Sequence, residues 1–139
     1  MVDAKQIVVG MDSSPAGAAA LEWAVRHTRD GGTVVAASVC GMVGSNGGRD
    51  AFHGARLRIL RDALARLGAH DGVLVEEAVL DGEPGPALVR LAEEADGLVL
   101  GRHGYRRGPE TVMGSVIMHC LRNATCPVVI VPAVNPPIV

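Results

Sequence analysis

The sequence predicts an α/β protein: a three-layer sandwich in which helices cover both faces of a five-stranded parallel sheet. Short apolar runs alternate with longer amphipathic segments along the 139 residues, in the order β-α-β-α-β-α-β-α-β. Strands that alternate with helices form parallel sheets with right-handed crossovers. The short runs are almost continuously apolar, which is typical of strands buried on both faces. The length fits one domain, residues 1–139.

Composition favours an aliphatic core and argues against several classes of partner. Hydrophobic residues make up 48% of the chain and aromatic residues only 2%. A net charge of −2 gives no general attraction to nucleic acid or an anionic membrane, and the few rings provide no stacking platform. The chain has no run of 18 apolar residues and no signal-peptide pattern, so we expect it in the cytoplasm. Its three cysteines lack the paired spacing of a disulfide or zinc framework.

The first strand is predicted at residues 7–11, a short run rich in β-branched side chains. Ser14 suits the N-cap and Pro15 the first helical position, so a helix follows directly. The glycine pair within residues 30–32 is expected to end that helix. The buried face of the helix is marked by Leu21, Ala24, Val25 and Thr28.

The next two strands are predicted at residues 33–39 and 73–80, from their apolar and β-branched composition. Between them, residues 41–48 contain four glycines, a serine and an asparagine, which predicts a mobile loop. A helix is predicted at residues 50–67, because leucines recur on one face at helical spacing. These leucines are Leu57, Leu60, Leu64 and Leu67.

The rest of the chain predicts two helices and two strands. Residues 81–84 turn into a helix, residues 98–100 form a short strand, and residues 128–131 form the final strand. A glycine-rich loop is expected after residue 100, and it leads to the last helix. The buried side of the third helix is Leu88, Leu91, Ala92 and Ala95, and that of the last helix is Val112, Met113, Val116, Ile117, Cys120 and Leu121.

The candidate site lies at the carboxyl ends of the strands, because ligands of open α/β sheets bind where the strand order reverses. Three segments reach it: residues 10–14, Val39 with the loop that follows, and residues 101–108. Glycines let backbone amides approach an anion, and a helix N-terminus adds free donors. Gly114 and Ser115 are therefore candidate phosphate donors, unless the glycines only shape a turn.

A catalytic site is less well supported. Asp12 equally suits a helix cap or a turn, and His103 suits a solvent-facing loop. No Ser-His-Asp or Cys-His order with a nucleophile elbow appears, so no catalytic residue is assigned. A P-loop is excluded because Lys5 is the only lysine, and no Gly-x-Gly-x-x-Gly follows the first strand. The arginines that accompany the glycines are Arg102, Arg106 and Arg107.

The spacing Gly101-x2-Gly104-x9-Gly114-Ser115 resembles the signature of the ATP-binding class of the universal stress protein family. The signature stands between a short strand and the last helix, as the family places it. The first strand with its acidic turn and the closing residues 126–132 also resemble the family. The resemblance therefore covers essentially the whole chain.

The resemblance implies a sheet of order 3-2-1-4-5, of the adenine-nucleotide alpha hydrolase-like type, and a homodimer joined through the last strand, residues 128–131. It also implies ATP with Mg2+ at the carboxyl edge of the sheet. Asp12 would face the ribose or a metal-bound phosphate, and Val39 would pack near the adenine. The implied nucleotide-binding residues are Gly10, Met11, Asp12, Val39, Gly101, Arg102, Gly104, Gly114, Ser115 and Val116.

Two positions depart from the family pattern. Arg102, which with Gly101 and Gly104 would line the ribose and phosphate path, stands where many relatives carry a small residue. Its side chain would either add a phosphate contact or crowd the pocket. Gly10 stands where some relatives have proline or alanine, a difference that is expected to be tolerated at a strand end.

Three functions are consistent with these residues. The first is a nucleotide-dependent regulatory protein of the stress response, whose ATP-bound and empty states differ in partner affinity. The second is a slow ATPase or phosphotransferase, for which Asp12 and the arginines are the only evident charged groups. The third is a nucleotide-free dimeric module that binds a partner.

Overall fold

The computed structural model describes residues 4–11, 15–40, 48–67, 72–102, 104–107 and 110–132. The elements are, in chain order, β1 (Ala4–Gly10), α1 (Pro15–His27), β2 (Thr28–Cys40), α2 (Gly48–Leu67), β3 (Leu74–Asp81), α3 (Pro84–Leu91), β4 (Gly97–Arg102), β5 (Gly104–Arg107), β6 (Glu110–Met113), α4 (Ser115–Asn123) and β7 (Val128–Pro132).

Five strands form one parallel sheet in the order β3-β2-β1-β4-β7. This confirms the predicted order 3-2-1-4-5, with β7 as the fifth strand of the sheet. The central strand β1 pairs with β2 on one side and with β4 on the other over residues 7–10. The strand order reverses at β1, which places the switch point of the sheet at its carboxyl end.

The core has two halves, one on each face of the sheet. Ile7 and Val9 face one half, and Val8 faces the other, and all three side chains are fully buried. Residues of α1 and α2 pack in the first half, whereas α3 and α4 pack in the second. This is the predicted three-layer sandwich.

The predicted position of Cys120 on the buried side of the last helix is confirmed. Its side chain is fully buried on α4 within the second half of the core. Burial raises the pKa of the Cys120 thiol to about 11, because a thiolate is poorly solvated among apolar groups. At neutral pH this cysteine is therefore a neutral packing residue.

The start of β2 differs from the prediction. The helix α1 ends at His27, and β2 begins at once with Thr28, whose hydroxyl donates to the C=O of Ala24 at 2.8 Å. The glycine pair that was expected to end the helix lies inside an irregular stretch of the strand. Gly31 has a φ of 85°, and the register of β1 with β2 shifts between Ala4 and Gln6. Thr28 pairs with Ala4 and Thr33 pairs with Gln6, so the pairing with β1 bypasses the glycine pair and resumes at Thr33.

The prediction of a loop after β4 is also wrong in part. The strands β5 and β6 form a separate antiparallel two-stranded sheet, named here the β5–β6 ribbon. Val112 and Met113 consequently belong to β6 rather than to the last helix. The helix α4 begins only at Ser115, because Gly114 has an extended backbone with φ −59° and ψ 139°.

Some predicted features lie outside the described residues. They include Ser14 as a helix cap, His103 as a loop residue, and residues 41–47 of the loop predicted at 41–48. The last residue of that predicted loop, Gly48, begins α2. In the described part of the chain, no helix is long and apolar enough to cross a membrane. The cytoplasmic location stays a prediction.

Asp96 joins the beginnings of two adjacent strands. Its carboxylate accepts from the backbone N–H groups of Lys5 at 2.8 Å and Gln6 at 3.1 Å. Its own N–H donates to the C=O of Gln6 at 2.8 Å. The two bonds to the carboxylate hold the pKa of Asp96 below its ordinary value of 3.8, because they favour the charged form.

We expect Asp96→Asn to lower the free energy of unfolding at pH 7 by about 1 kcal/mol. This loss is small because Asp96 is exposed and solvent screens its charge. A lowered native pKa stabilises the fold above the unfolded-state pKa, and this stabilisation is lost as the pH falls through the native value. The gap between wild type and variant should therefore close in acid, as measured by urea denaturation from pH 7 downwards. Glu94→Gln, on a neighbouring exposed turn, controls for the loss of one charge. A gap that is the same at every pH would contradict the assignment.

Candidate functional site

A cavity lies beyond the carboxyl end of β1, because the two strands beside β1 are longer. Gly10 pairs with Ala37 of β2 and with Leu100 of β4. β2 then continues for three residues to Cys40, and β4 continues for two to Arg102. The space between them has a volume of about 190 Å³. It is lined by Gly10, Met11, Ala37, Val39, Pro84, Leu88, Leu100, Gly101, Gly114, Val116 and Ile117.

The walls of the cavity are apolar. The described lining contains only glycine, proline and aliphatic side chains or methionine. Leu88 of α3 and Ile117 of α4 are each 3% exposed and close the cavity from the helical layer. Such walls suit a flat, uncharged ring that forms its hydrogen bonds with the protein backbone.

β2 offers backbone groups of this kind. The N–H of Met11 donates to the C=O of Ala37 at 2.7 Å. In a parallel ladder, alternate residues direct their N–H and C=O to the same side. The N–H and C=O of Val39 therefore face the space where β1 has already ended.

The N-terminus of α4 borders the cavity and offers backbone donors to it. Gly114 is its N-cap, with no side-chain cap, and the first helical bond runs from Met118 N to Gly114 O at 3.4 Å. The N–H groups of Ser115, Val116 and Ile117 consequently have no partner within the helix. These donors and the helix dipole together favour a negative group.

The N-terminus of α3 borders the same cavity but lacks these donors. Pro84 and Pro86 have no N–H, and the N–H of Ala87 donates to Glu83 O at 3.0 Å. Only Gly85 keeps a donor that the helix does not use. The cavity is therefore asymmetric, with an apolar wall at α3 and an array of donors at α4.

Most of the predicted site residues line this cavity. Ser115 is the first residue of α4 and is exposed beside it. Arg102 ends β4 and Gly104 begins β5, so both follow the cavity residue Gly101 along the chain. Asp12 lies outside the described residues. The predicted residues in the lining are Gly10, Met11, Val39, Gly101, Gly114 and Val116.

Sequence reasoning missed the contribution of α3. Leu88 was assigned to the core only, because helical periodicity predicts which side is buried and not which neighbour it meets. The signal that was available is the Glu-Pro-Gly-Pro run at 83–86, an unusual helix start without donors. The lining residues that were not predicted are Ala37, Pro84, Leu88, Leu100 and Ile117.

A preformed metal centre is not evident in the described part of the chain. There, no group of three or more His, Cys, Asp or Glu side chains is placed to hold a metal ion.

Comparison with known proteins gives consistent results. The sequence profile of the universal stress protein family matches residues 4–132. Universal stress protein Rv2623 of Mycobacterium tuberculosis is 30% identical over 145 residues, which are 90% of this chain and 46% of that protein. The chain thus spans about half the length of this relative.

Solved structures show the same fold. UspA of Lactobacillus plantarum superposes with a TM-score of 0.74 at 22% identity, covering 91% of this chain and 97% of that one. A universal stress protein in complex with cAMP superposes with a TM-score of 0.67 at 28% identity, covering 92% and 96%.

Gly10 is closely packed against two leucine side chains. A Cβ at Gly10 would lie 2.7 Å from Leu100 Cδ2 and 2.9 Å from Leu88 Cδ1. Both leucines line the cavity and are buried. A methyl group there must therefore displace a cavity wall.

We expect Gly10→Ala to lower the free energy of unfolding by about 1–3 kcal/mol, the usual cost of overpacking, as measured by chemical denaturation. Gly54→Ala in α2 is the matched control, because a Cβ there meets nothing within 4 Å. That change should stabilise the protein by about 0.5–1 kcal/mol. If Gly10→Ala were as stable as wild type, the leucines would move freely and substitution would be tolerated.

Proposed function

The chain belongs to the universal stress protein family, and we propose that it binds adenine nucleotides, ATP with Mg2+ first among them, as a nucleotide-dependent regulatory protein of the stress response. The observation that carries this proposal is the asymmetry of the cavity. An apolar wall with an open backbone edge lies at one end, and the donors of α4 lie at the other. A nucleotide has the matching order of a flat base and an anionic tail.

We assign the adenine base to the apolar end of the cavity, beside Val39. Its N–H and C=O offer one donor and one acceptor, which match the ring nitrogen and the amino group on one edge of adenine. The volume of about 190 Å³ is below the range, from about 300 Å³, of pockets that enclose a whole drug-sized ligand. We therefore place only the base in the cavity, with the ribose and phosphates outside it.

The phosphate end is assigned to α4. Gly114, Ser115 and Val116 are proposed to hold phosphate through backbone N–H groups and the serine hydroxyl. Arg102 and Asp12 are proposed to act toward the phosphates and a Mg2+ carried by them. The solved relative with bound cAMP supports an adenine nucleotide as the ligand class.

The test is a calorimetric titration of nucleotide-stripped protein with Mg-ATP and with cAMP. We expect wild type to bind both nucleotides. Gly114→Val is expected to bind them at least about tenfold more weakly, because its branched side chain would occupy the space through which phosphate approaches. The backbone of Gly114 is in a region open to any residue, so the variant should fold. Gly54→Ala is the control and should bind like wild type.

Two results would contradict the proposal. Equal affinity of wild type and Gly114→Val for the nucleotide would mean that phosphate does not bind at the N-terminus of α4. The absence of binding in wild type would favour the nucleotide-free module. In the same samples, release of phosphate that stops in Gly114→Val would instead support the slow ATPase.

We also propose that the chain forms a homodimer through β7. This strand is an edge of the sheet, and its apolar side chains Val128 to Ile130 are only half-buried. The helix α4 precedes β7 along the chain and packs in the same half of the core as Val128 and Ile130, and on it Met118 is 39% exposed and Leu121 is 52% exposed. A bare apolar edge strand is an aggregation hazard, and pairing with its own copy about a two-fold axis covers it.

Light scattering at micromolar concentration is expected to give twice the mass of the chain for wild type. Leu121→Arg should give a monomer, because it introduces a charge into the exposed apolar surface that we include in the proposed interface. Leu74→Arg is the matched control, since Leu74 is 59% exposed on β3 at the opposite edge. It should remain a dimer. A monomeric wild type, or dissociation by Leu74→Arg alone, would overturn the β7 interface.

A further inference from the structure

The helices α3 and α4 are in direct contact at Gly85, in the first turn of α3. This glycine is buried, and a Cβ at its position would lie 2.8 Å from His119 Cγ and 2.9 Å from His119 Cβ and Cδ2. Its C=O also accepts from Cys120 Sγ at 4.0 Å. The Cβ of His119 is fixed by the backbone of α4, so rotation of the imidazole cannot relieve the contact. The backbone of α3 therefore lies against α4 with no side chain at position 85 between them.

The close approach, and not the backbone angles, explains the glycine at position 85. The described glycines with positive φ are Gly31, Gly72 and Gly82, and Gly85 is not one of them. It lies inside a helix, where alanine is favoured over glycine. A position that suits a better helix former is thus left without a side chain, because the side chain of His119 occupies the space.

The contact lies on the helix faces that form the walls of the cavity. Residues three apart on a helix share a face. Leu88 follows Gly85 by three residues and lines the cavity. Val116 precedes His119 by three residues and also lines it. The spacing of the two helical walls is therefore set where Gly85 meets His119.

The side chains around the contact leave the helices little room to adjust. Leu88, Ile117 and Cys120 are buried together in the second half of the core. Close-packed interiors transmit strain rather than absorb it. A side chain at position 85 must therefore move the first turn of α3 away from α4, and with it Pro84, which lines the cavity.

We propose that the Gly85–His119 contact sets the width of the cavity between α3 and α4 and so determines how tightly the cavity holds a flat base. This inference rests on the proposed function and names a pair of positioning residues for it. Neither residue lines the cavity, so both act through the walls. His119 contributes the shape of its ring, which packs on the bare backbone of Gly85.

The experiment is a calorimetric titration of wild type, Gly85→Ala and Gly85→Ala/His119→Gly with cAMP and with Mg-ATP. Gly85→Ala is expected to bind both ligands about tenfold more weakly and by the same factor, because they carry the same base. The double variant removes every His119 atom that the new Cβ would meet. Its affinity should return to within about threefold of wild type, even though a glycine inside α4 lowers its stability.

Gly32→Ala is the matched control for overpacking away from the cavity. Gly32 is buried beside the start of β1, and a Cβ there would lie 2.6 Å from Thr28 Cγ2 and 2.9 Å from Lys5 O. Like Gly85→Ala, it should lower the midpoint of urea denaturation. Unlike Gly85→Ala, it should bind both ligands within about twofold of wild type.

Four outcomes would overturn the inference. Equal affinity of wild type and Gly85→Ala would mean that the contact does not set the width of the cavity. Equal losses in Gly85→Ala and Gly32→Ala would mean that affinity only follows stability. A double variant as weak as Gly85→Ala would mean that His119 is not the neighbour that matters. A loss for Mg-ATP alone would place the effect at the phosphates and not at the base.

Circular dichroism checks the fold of each variant, and a second pair is used if Gly85→Ala is unfolded. His119→Leu brings a branched, tetrahedral Cγ against Gly85 and should weaken binding of both ligands by about threefold or more, whereas His119→Phe keeps a flat ring and should bind like wild type. Equal affinities of these two variants would overturn the inference. Wild type that binds neither ligand overturns the proposed function and this inference with it, whereas every other contrary outcome leaves adenine binding by wild type intact.

Discussion

The length of β1 relative to its neighbours is the constraint on which the rest of this structure depends. The strand is bonded on both sides and is buried on both faces, with Ile7, Val8 and Val9 fully enclosed. A slip of one residue would exchange the side chains of the two core halves, so the register is fixed. Gly10 and Met11 must then end between two longer strands, and the cavity beyond them is a direct result.

The two helices that border the cavity divide its chemistry between them. The prolines of α3 remove donors from one side, and the absence of a side-chain cap on α4 leaves donors available on the other. Gly10 lets Leu88 and Leu100 approach the end of β1, so the apolar wall reaches the sheet. A ligand that is apolar at one end and anionic at the other is therefore oriented by the backbone of the elements rather than by charged side chains in the described lining.

The sheet was predictable because apolar β-branched runs and helical periodicity depend on local sequence. The predictions failed where a pairing partner distant in sequence determines the secondary structure. Thr28 joins β2 because it pairs with Ala4, and Val112 joins the β5–β6 ribbon rather than a helix because it pairs with Tyr105. At the site, strand ends and the family resemblance predicted six of the residues that line the cavity. Leu88 was missed because periodicity predicts that a side chain is buried, whereas only tertiary packing decides that it borders a cavity.

The two prolines at the start of α3 also affect the thermodynamics of binding. Each fixes a φ angle near −65°, so this wall has little backbone freedom left to lose. The α3 wall loses its conformational entropy when the chain folds, so it loses little more when a ligand binds. One side of the cavity is thus preorganised, and the entropic cost of association falls mainly on the ligand and on the other elements that it meets.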